Sequence, residues 1–217
     1  MERYFLFDNL NTWLTWNCYL TSKNIDDPTP NTNYVKLDGV HGSLDLSESL
    51  TGEITYSDRI ITATFWTDYG TYKERETLLR KITSFLHGKK FHIVEPDDID
   101  HYFYGRVKIT SKTNVLSYAT FTIEATCEPW RYATDESTRY VEVNGETVDV
   151  VINNNGDKTI SPEITVTGSV DIAFKNGQAS LIKGSYKIPD LKLYAGANVI
   201  RVSGSGAITF TYKEATL

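Results

Sequence analysis

The run Val115-Leu116-Ser117-Tyr118-Ala119-Thr120-Phe121-Thr122-Ile123-Glu124-Ala125-Thr126-Cys127 decides the fold class. Val115, Ala119, Phe121, Ile123, Ala125 and Cys127 fall on one side of an extended chain, and Leu116, Tyr118, Thr120, Thr122, Glu124 and Thr126 on the other. Successive side chains of a strand point to opposite faces, so this alternation predicts a strand with one buried face. Upstream, Ile54 to Trp66 mixes isoleucines and aromatics with threonines, a composition suited to a pleated surface. Phe91–Val94 and Tyr102–Ile109 flank Glu95-Pro96-Asp97-Asp98 and predict a long hairpin.

One segment has a different period. Leu78, Leu79, Ile82, Phe85 and Leu86 form a helical stripe within Thr71–His87. Thr71 followed by Glu74 matches a capping box, and Gly88 can supply a left-handed C-cap. This is the one helix the pattern predicts, with Leu78, Ile82 and Phe85 buried against a sheet and Lys73, Arg75, Arg80 and Lys81 on a solvated face. Beyond Trp130-Arg131-Tyr132 tryptophan disappears and turn signals become rich in Gly and Asn: Asn144-Gly145, Asn153-Asn154-Asn155-Gly156, Asn176-Gly177 and Gly204-Ser205-Gly206. Short strands between them (147–152, 160–167, 170–174, 179–182, 199–203 and 207–212) predict an antiparallel β-sandwich or barrel. Asn176-Gly177 suits a type I′ turn, in which both central residues take positive φ. The expected class is mainly β with two domains: residues 1–132, a β-sandwich carrying the helix, and residues 133–217, a second antiparallel sandwich.

Composition narrows the function. The 217 residues are 40% apolar and 23% charged, with a formal net charge of -6, enough apolar content for a globular core and the wrong sign for a chain that neutralises phosphates. Sequence-specific nucleic-acid binding is therefore not expected. The start, Glu2-Arg3-Tyr4-Phe5-Leu6-Phe7-Asp8, lacks the apolar length of a signal peptide or membrane span, so neither export nor membrane insertion is expected. Cys18 and Cys127 are too far apart for a zinc knuckle and too few for a disulfide framework; they are expected as free thiols.

No catalytic motif is present. The four histidines share no metal-ligand spacing, and HExxH, GxSxG, GxxxxGK[ST] and GxGxxG are absent. Glu95, Asp97, Asp98 and Asp100 lack the central Gly and closing Glu of a calcium loop and suit an ordinary acidic hairpin tip. No catalytic, cofactor or metal residue is assigned, and no cofactor is expected. Aromatics are abundant, with 14 Tyr, 9 Phe and 4 Trp, and His101-Tyr102-Phe103-Tyr104 places them on both faces of one strand. Tyr and Trp dominate protein contacts, so subunit contact is the economical reading, with sugar stacking beside it.

Several stretches resemble one family in shared order. Trp13-Leu14-Thr15-Trp16 precedes Val35-Lys36-Leu37-Asp38-Gly39-Val40-His41-Gly42-Ser43-Leu44-Asp45-Leu46-Ser47, which resembles the G-x-x-G-x-L-D-L-[ST] segment of siphophage distal tail proteins. Tyr56-Ser57-Asp58-Arg59, Phe65-Trp66, Tyr104-Gly105-Arg106-Val107 and Glu128-Pro129-Trp130-Arg131 follow in family order. The second half is similar to that family's galectin-like domain, through Asn155-Gly156, Ser161-Pro162-Glu163-Ile164-Thr165-Val166-Thr167-Gly168 and Gly196-Ala197-Asn198-Val199-Ile200. The resemblance implies a virion tail-tip protein made in the host cytoplasm and not an enzyme. It implies a homohexameric ring whose N-terminal domains continue the tail tube, bound to the tail tube protein and the tail-tip hub protein. The outer C-terminal domains would hold receptor-binding or other baseplate proteins. For the ring contact we select Gly39, Gly42, Leu44 and Leu46, whose glycines permit bends and whose leucines share a strand face, together with Tyr102 and Tyr104. The competing reading is a carbohydrate-binding module that recognises host glycans. A wall hydrolase is the weakest reading, because both β-rich halves leave no catalytic domain.

Overall fold

The computed structural model describes residues 4–217, and the chain divides after Arg131 into two compact units. The first contains β1 (Leu6–Phe7), β2 (Leu10–Asn11), α1 (Thr12–Trp16), β3 (Tyr19–Ile25), β4 (Pro30–Asn31), β5 (Tyr34–Val35), β6 (Leu44–Asp45), β7 (Thr55–Tyr56), β8 (Arg59–Thr67), α2 (Tyr72–Leu86), β9 (Lys90–Glu95) and β10 (Asp98–Asn114). β11 (Ala119–Ala133) carries the chain across the division. The main sheet runs β2-β1-β9-β10-β11-β8-β3. Its register follows the alternation read from the sequence: Phe121 opposes Phe65, Ile123 opposes Ala63 and Ala125 opposes Ile61, all buried. Phe65 and Phe121 stack at 4.9 Å, while on the other face the Thr64 and Thr122 hydroxyls meet at 3.1 Å. β11 begins at Ala119 rather than Val115; the chain turns there, leaving Leu116 exposed.

α2 forms as its cap predicts. The Thr71 hydroxyl accepts the Glu74 N–H, and the Glu74 carboxylate accepts the Thr71 N–H at 2.7 Å. It ends at the cap residue His87, and Gly88 just past it takes the expected left-handed conformation, at φ 82°. Leu79, Ile82 and Leu86 are buried in one core with Phe91 and Ile93, whereas Leu78 and Phe85, expected buried, are half-buried at its margin. Arg75 departs from its expected solvated position: it is 1% exposed. It lies four residues before Leu79 and seven before Ile82, on the apolar stripe itself. A second helix, α1, also escaped the pattern, because five residues are too few to show a stripe. Asn11 caps it by accepting the N–H groups of Trp13 and Leu14, and Asn17 ends it at φ 54°.

The second unit contains β12 (Ser137–Asn144), β13 (Val148–Asn154), β14 (Glu163–Phe174), β15 (Gly177–Lys187) and β16 (Gly196–Tyr212), in the order β12-β16-β14-β15, with β13 also on β16. Gly204-Ser205-Gly206 is not a turn. The two strands expected around it are one, β16, whose first part pairs with β13 and whose second part pairs with β12. β14 likewise joins two expected strands through an irregularity between Val166 and Ser169. The paired strands approach closely at Gly168, Gly204 and Gly206: a Cβ on Gly168 would lie 2.1 Å from the Ser205 carbonyl oxygen, and one on Gly204 would lie 2.4 Å from that of Ser169. The glycines therefore let β14 and β16 bend together around Ile164, Val170, Ile172, Ile208 and Phe210. The β14–β15 turn is also shifted. Phe174 opposes Gly177, so Lys175 and Asn176 are its central residues. Among the described residues only Asp8 and Asn17 are non-glycines with positive φ, so this turn is not type I′.

Candidate assembly interface

Residues 26–58 leave the main sheet between β3 and β8 as an arm. Its base is β4 with β7, and beyond it β5 pairs with β6, Tyr34 opposite Asp45 and Val35 opposite Leu44. The Asn33 N–H donates to the Ser47 hydroxyl at 2.8 Å, and the Leu46 N–H to the Asn33 carbonyl at 2.8 Å. The hydroxyl and N–H of Ser47 hold the Asp45 carboxyl below its ordinary pKa. Gly39 and Gly42, at φ 82° and 84°, form the arm tip, where non-glycine side chains rarely fit the backbone. Tyr34, Leu37, Val40, Leu44 and Leu50 are all exposed, Leu50 to 98%. Leu46 is half-buried. These exposed apolar side chains make the arm a candidate contact surface.

The root of the arm is firmly held. Arg59 is buried and donates Nε and Nη2 to the Pro129 carbonyl at 3.0 and 2.8 Å, with its guanidinium 5.1 Å from the Phe103 ring centre. Burial, followed by the nearby charge of Arg131, lowers the Arg59 pKa. Tyr56 meets Trp130 edge to face at 5.7 Å. The acidic hairpin tip is occupied by cations: Lys23 contacts Glu95 and Asp97, and Asp98 accepts from Arg131 at 3.0 Å and meets the His101 ring at 2.7 Å. No group of metal-ligating side chains occurs among the described residues.

Tyr102 and Tyr104 lie elsewhere, on β10, with the His92 ring 4.7 and 5.1 Å from theirs and the Lys90 ammonium 5.2 Å from Tyr104. The selected residues thus form two sets, Gly39, Gly42, Leu44 and Leu46 on the arm and the tyrosines on the sheet, with β11 between β10 and β8. Sequence reading missed a third feature, at the opposite end of the β3–β8 pair. Trp13, Tyr19, Trp66 and Tyr118 form a ladder with ring centres 4.1, 5.9 and 6.4 Å apart. Beside it α1 and the first turns of α2 enclose an open groove of about 950 Å³, lined by Trp13, Leu14, Trp16, Tyr69, Lys73 and Lys81 among others. Arg75 secures this end, donating to the carbonyl oxygens of Gly70, Val115 and Leu116 at 2.6, 2.9 and 2.6 Å and to Asn114 Oδ1 at 3.2 Å. Its place on the helical stripe was the available signal.

No family model and no curated protein matches the chain. Among solved structures, the crystal structure of the Dit protein of SPP1 matches with a TM-score of 0.72 at 14% identity, covering 97% of this chain and 98% of that one. The fold is that of a phage distal tail protein. The distal tail fold is matched along both units, so the coverage includes the arm as well as the bent sheet of the second unit. The SPP1 protein is described as a paradigm of the hub adsorption apparatus in phages infecting Gram-positive bacteria.

Proposed function

We propose that this chain is a structural, non-catalytic component of a phage tail tip. It would form a homohexameric ring that joins the tail tube protein to the hub protein, with the second unit holding receptor-binding or baseplate proteins. The near full-length likeness to the SPP1 protein carries this reading. The exposed apolar arm supports it, because a monomer gains nothing from five exposed apolar side chains whereas a subunit contact buries them. The test is mass photometry and negative-stain microscopy of the chain, alone and with the tail tube and hub proteins. Six-fold rings are the expected result, and their loss on Leu44→Asp, an exposed position, ties them to the arm. A chain that stays monomeric with both partners present overturns the reading.

A further inference from the structure

We propose that the arm of one copy docks into the aromatic groove of a second copy, a head-to-tail contact that rests on the ring reading above. The two surfaces stand at opposite ends of the same strand pair. β3 and β8 are antiparallel; the arm joins Ile25 to Arg59, while the groove is built from residues just before Tyr19 and just after Thr67. At about 3.3 Å per residue, strands of seven and nine residues separate arm root and groove by roughly 20 to 30 Å. An arm at one pole and its receptor at the other make a heterologous interface, the type that a ring requires.

The surfaces match in chemistry. Residues 33–50 of the arm carry Asp38, Asp45 and Glu48 against the single cation Lys36, with apolar Leu37, Val40 and Leu44 between them. The groove presents Trp13, Leu14 and Leu78, with Lys73 and Lys81 at its rim and the buried Trp16 at its floor. Its one acid, Glu74, is turned to the N–H and hydroxyl of Thr71. Apolar side chains would meet Leu14 and the Trp13 indole while carboxylates meet ammonium groups, an arrangement that fixes register as well as affinity. Neither surface is satisfied within its own chain: Val40 is 61% exposed and Leu14 77%.

The contact is tested by cysteine trapping. Cys18 and Cys127 are buried with thiol pKa values pushed up to about 12, so an engineered surface pair can be oxidised selectively. A chain carrying Leu14→Cys is mixed with one carrying Val40→Cys and oxidised with copper phenanthroline. A disulfide heterodimer is expected, well above the yield of Leu14→Cys with Ile182→Cys, an exposed control in the second unit. Lys73→Glu with Lys81→Glu in the groove chain should lower the yield about tenfold, and Asp38→Lys with Glu48→Lys in the arm chain should restore it. A Leu14–Val40 yield equal to the control, or insensitivity to both charge reversals, overturns the proposal. Rings that persist under those reversals overturn the arm–groove contact alone; an absence of rings from wild type with its partners strikes at the ring reading instead.

Discussion

Arg75 shows how one residue can hold several loops. A guanidinium at 1% exposure costs desolvation, and four acceptors around it offset that cost. Arg75→Met keeps the volume but removes the charged hydrogen bonds that tie Gly70 and residues 114–116 to α2, so a loss of about 1.5–3 kcal/mol in urea unfolding is expected. Arg80→Met, exposed five residues on, should cost almost nothing. Asp98 gives a pH dependence. Burial favours its neutral form, but the hydrogen bonds and charges of His101 and Arg131 outweigh this and lower its pKa. A lowered folded pKa means that the unfolded chain binds the proton more readily. The stability from ionised Asp98 is complete above the ordinary aspartate value of about 3.9 and is lost as pH falls through the lowered one. Asp98→Asn should therefore weaken the protein at neutral pH and flatten this acid limb, as read from Tm between pH 6 and pH 2.

The elements fail separately. In α2, Ile82 is fully buried between helix and sheet, and Ile82→Ala should cost about 2–5 kcal/mol. Phe85 only rims that core, stacking on Phe91 at 5.4 Å and meeting Trp16 at 5.6 Å, so Phe85→Ala should cost less than Ile82→Ala measured side by side. At the bend of β14 and β16, Gly168→Ala drives a methyl group toward the Ser205 carbonyl oxygen. The backbone must move there, because the neighbour is main chain rather than a flexible side chain. Tryptophan separates these effects optically: Trp13, Trp16, Trp66 and Trp130 all precede the division after Arg131. Gly168→Ala should lower the melt seen by far-UV circular dichroism while leaving the tryptophan transition in place, and Ile82→Ala should do the reverse.

At the scale of the whole molecule, the question is whether the second unit needs the first. Residues 132–217 have their own core, with Ile164, Leu193, Val202, Ile208 and Phe210 fully buried. Expressed alone, they should unfold in one cooperative step. A broad melt without a heat-capacity peak would place the boundary wrongly. For the assembled chain, the arm's apolar tip and the groove's lysines predict opposing salt effects. Salt weakens the steering charges but leaves apolar burial intact, so raising ionic strength should slow association more than it lowers the final ring yield in stopped-flow scattering.

Local patterns alone determined much of this protein. Alternation in 119–127 set which face of β11 is buried, and Thr71 with Glu74 set where α2 starts, because both signals act between near neighbours along the chain. The bends at Gly39 and Gly42 were legible for the same reason. Only the tertiary structure decided which residues meet across the sheet. Arg75 is buried because residues 114–116 fold over it, and nothing at positions 71–87 announces those distant carbonyls. Gly204-Ser205-Gly206 has the composition of a turn, but pairing with β14 beside Gly168 keeps it in the strand. The groove exists only where α1 and α2, more than 50 residues apart in sequence, come to the same end of β3 and β8. A chain's short-range terms fix the form of an element; its place, and the surface that two distant elements make together, come from long-range packing free energy that no short window contains.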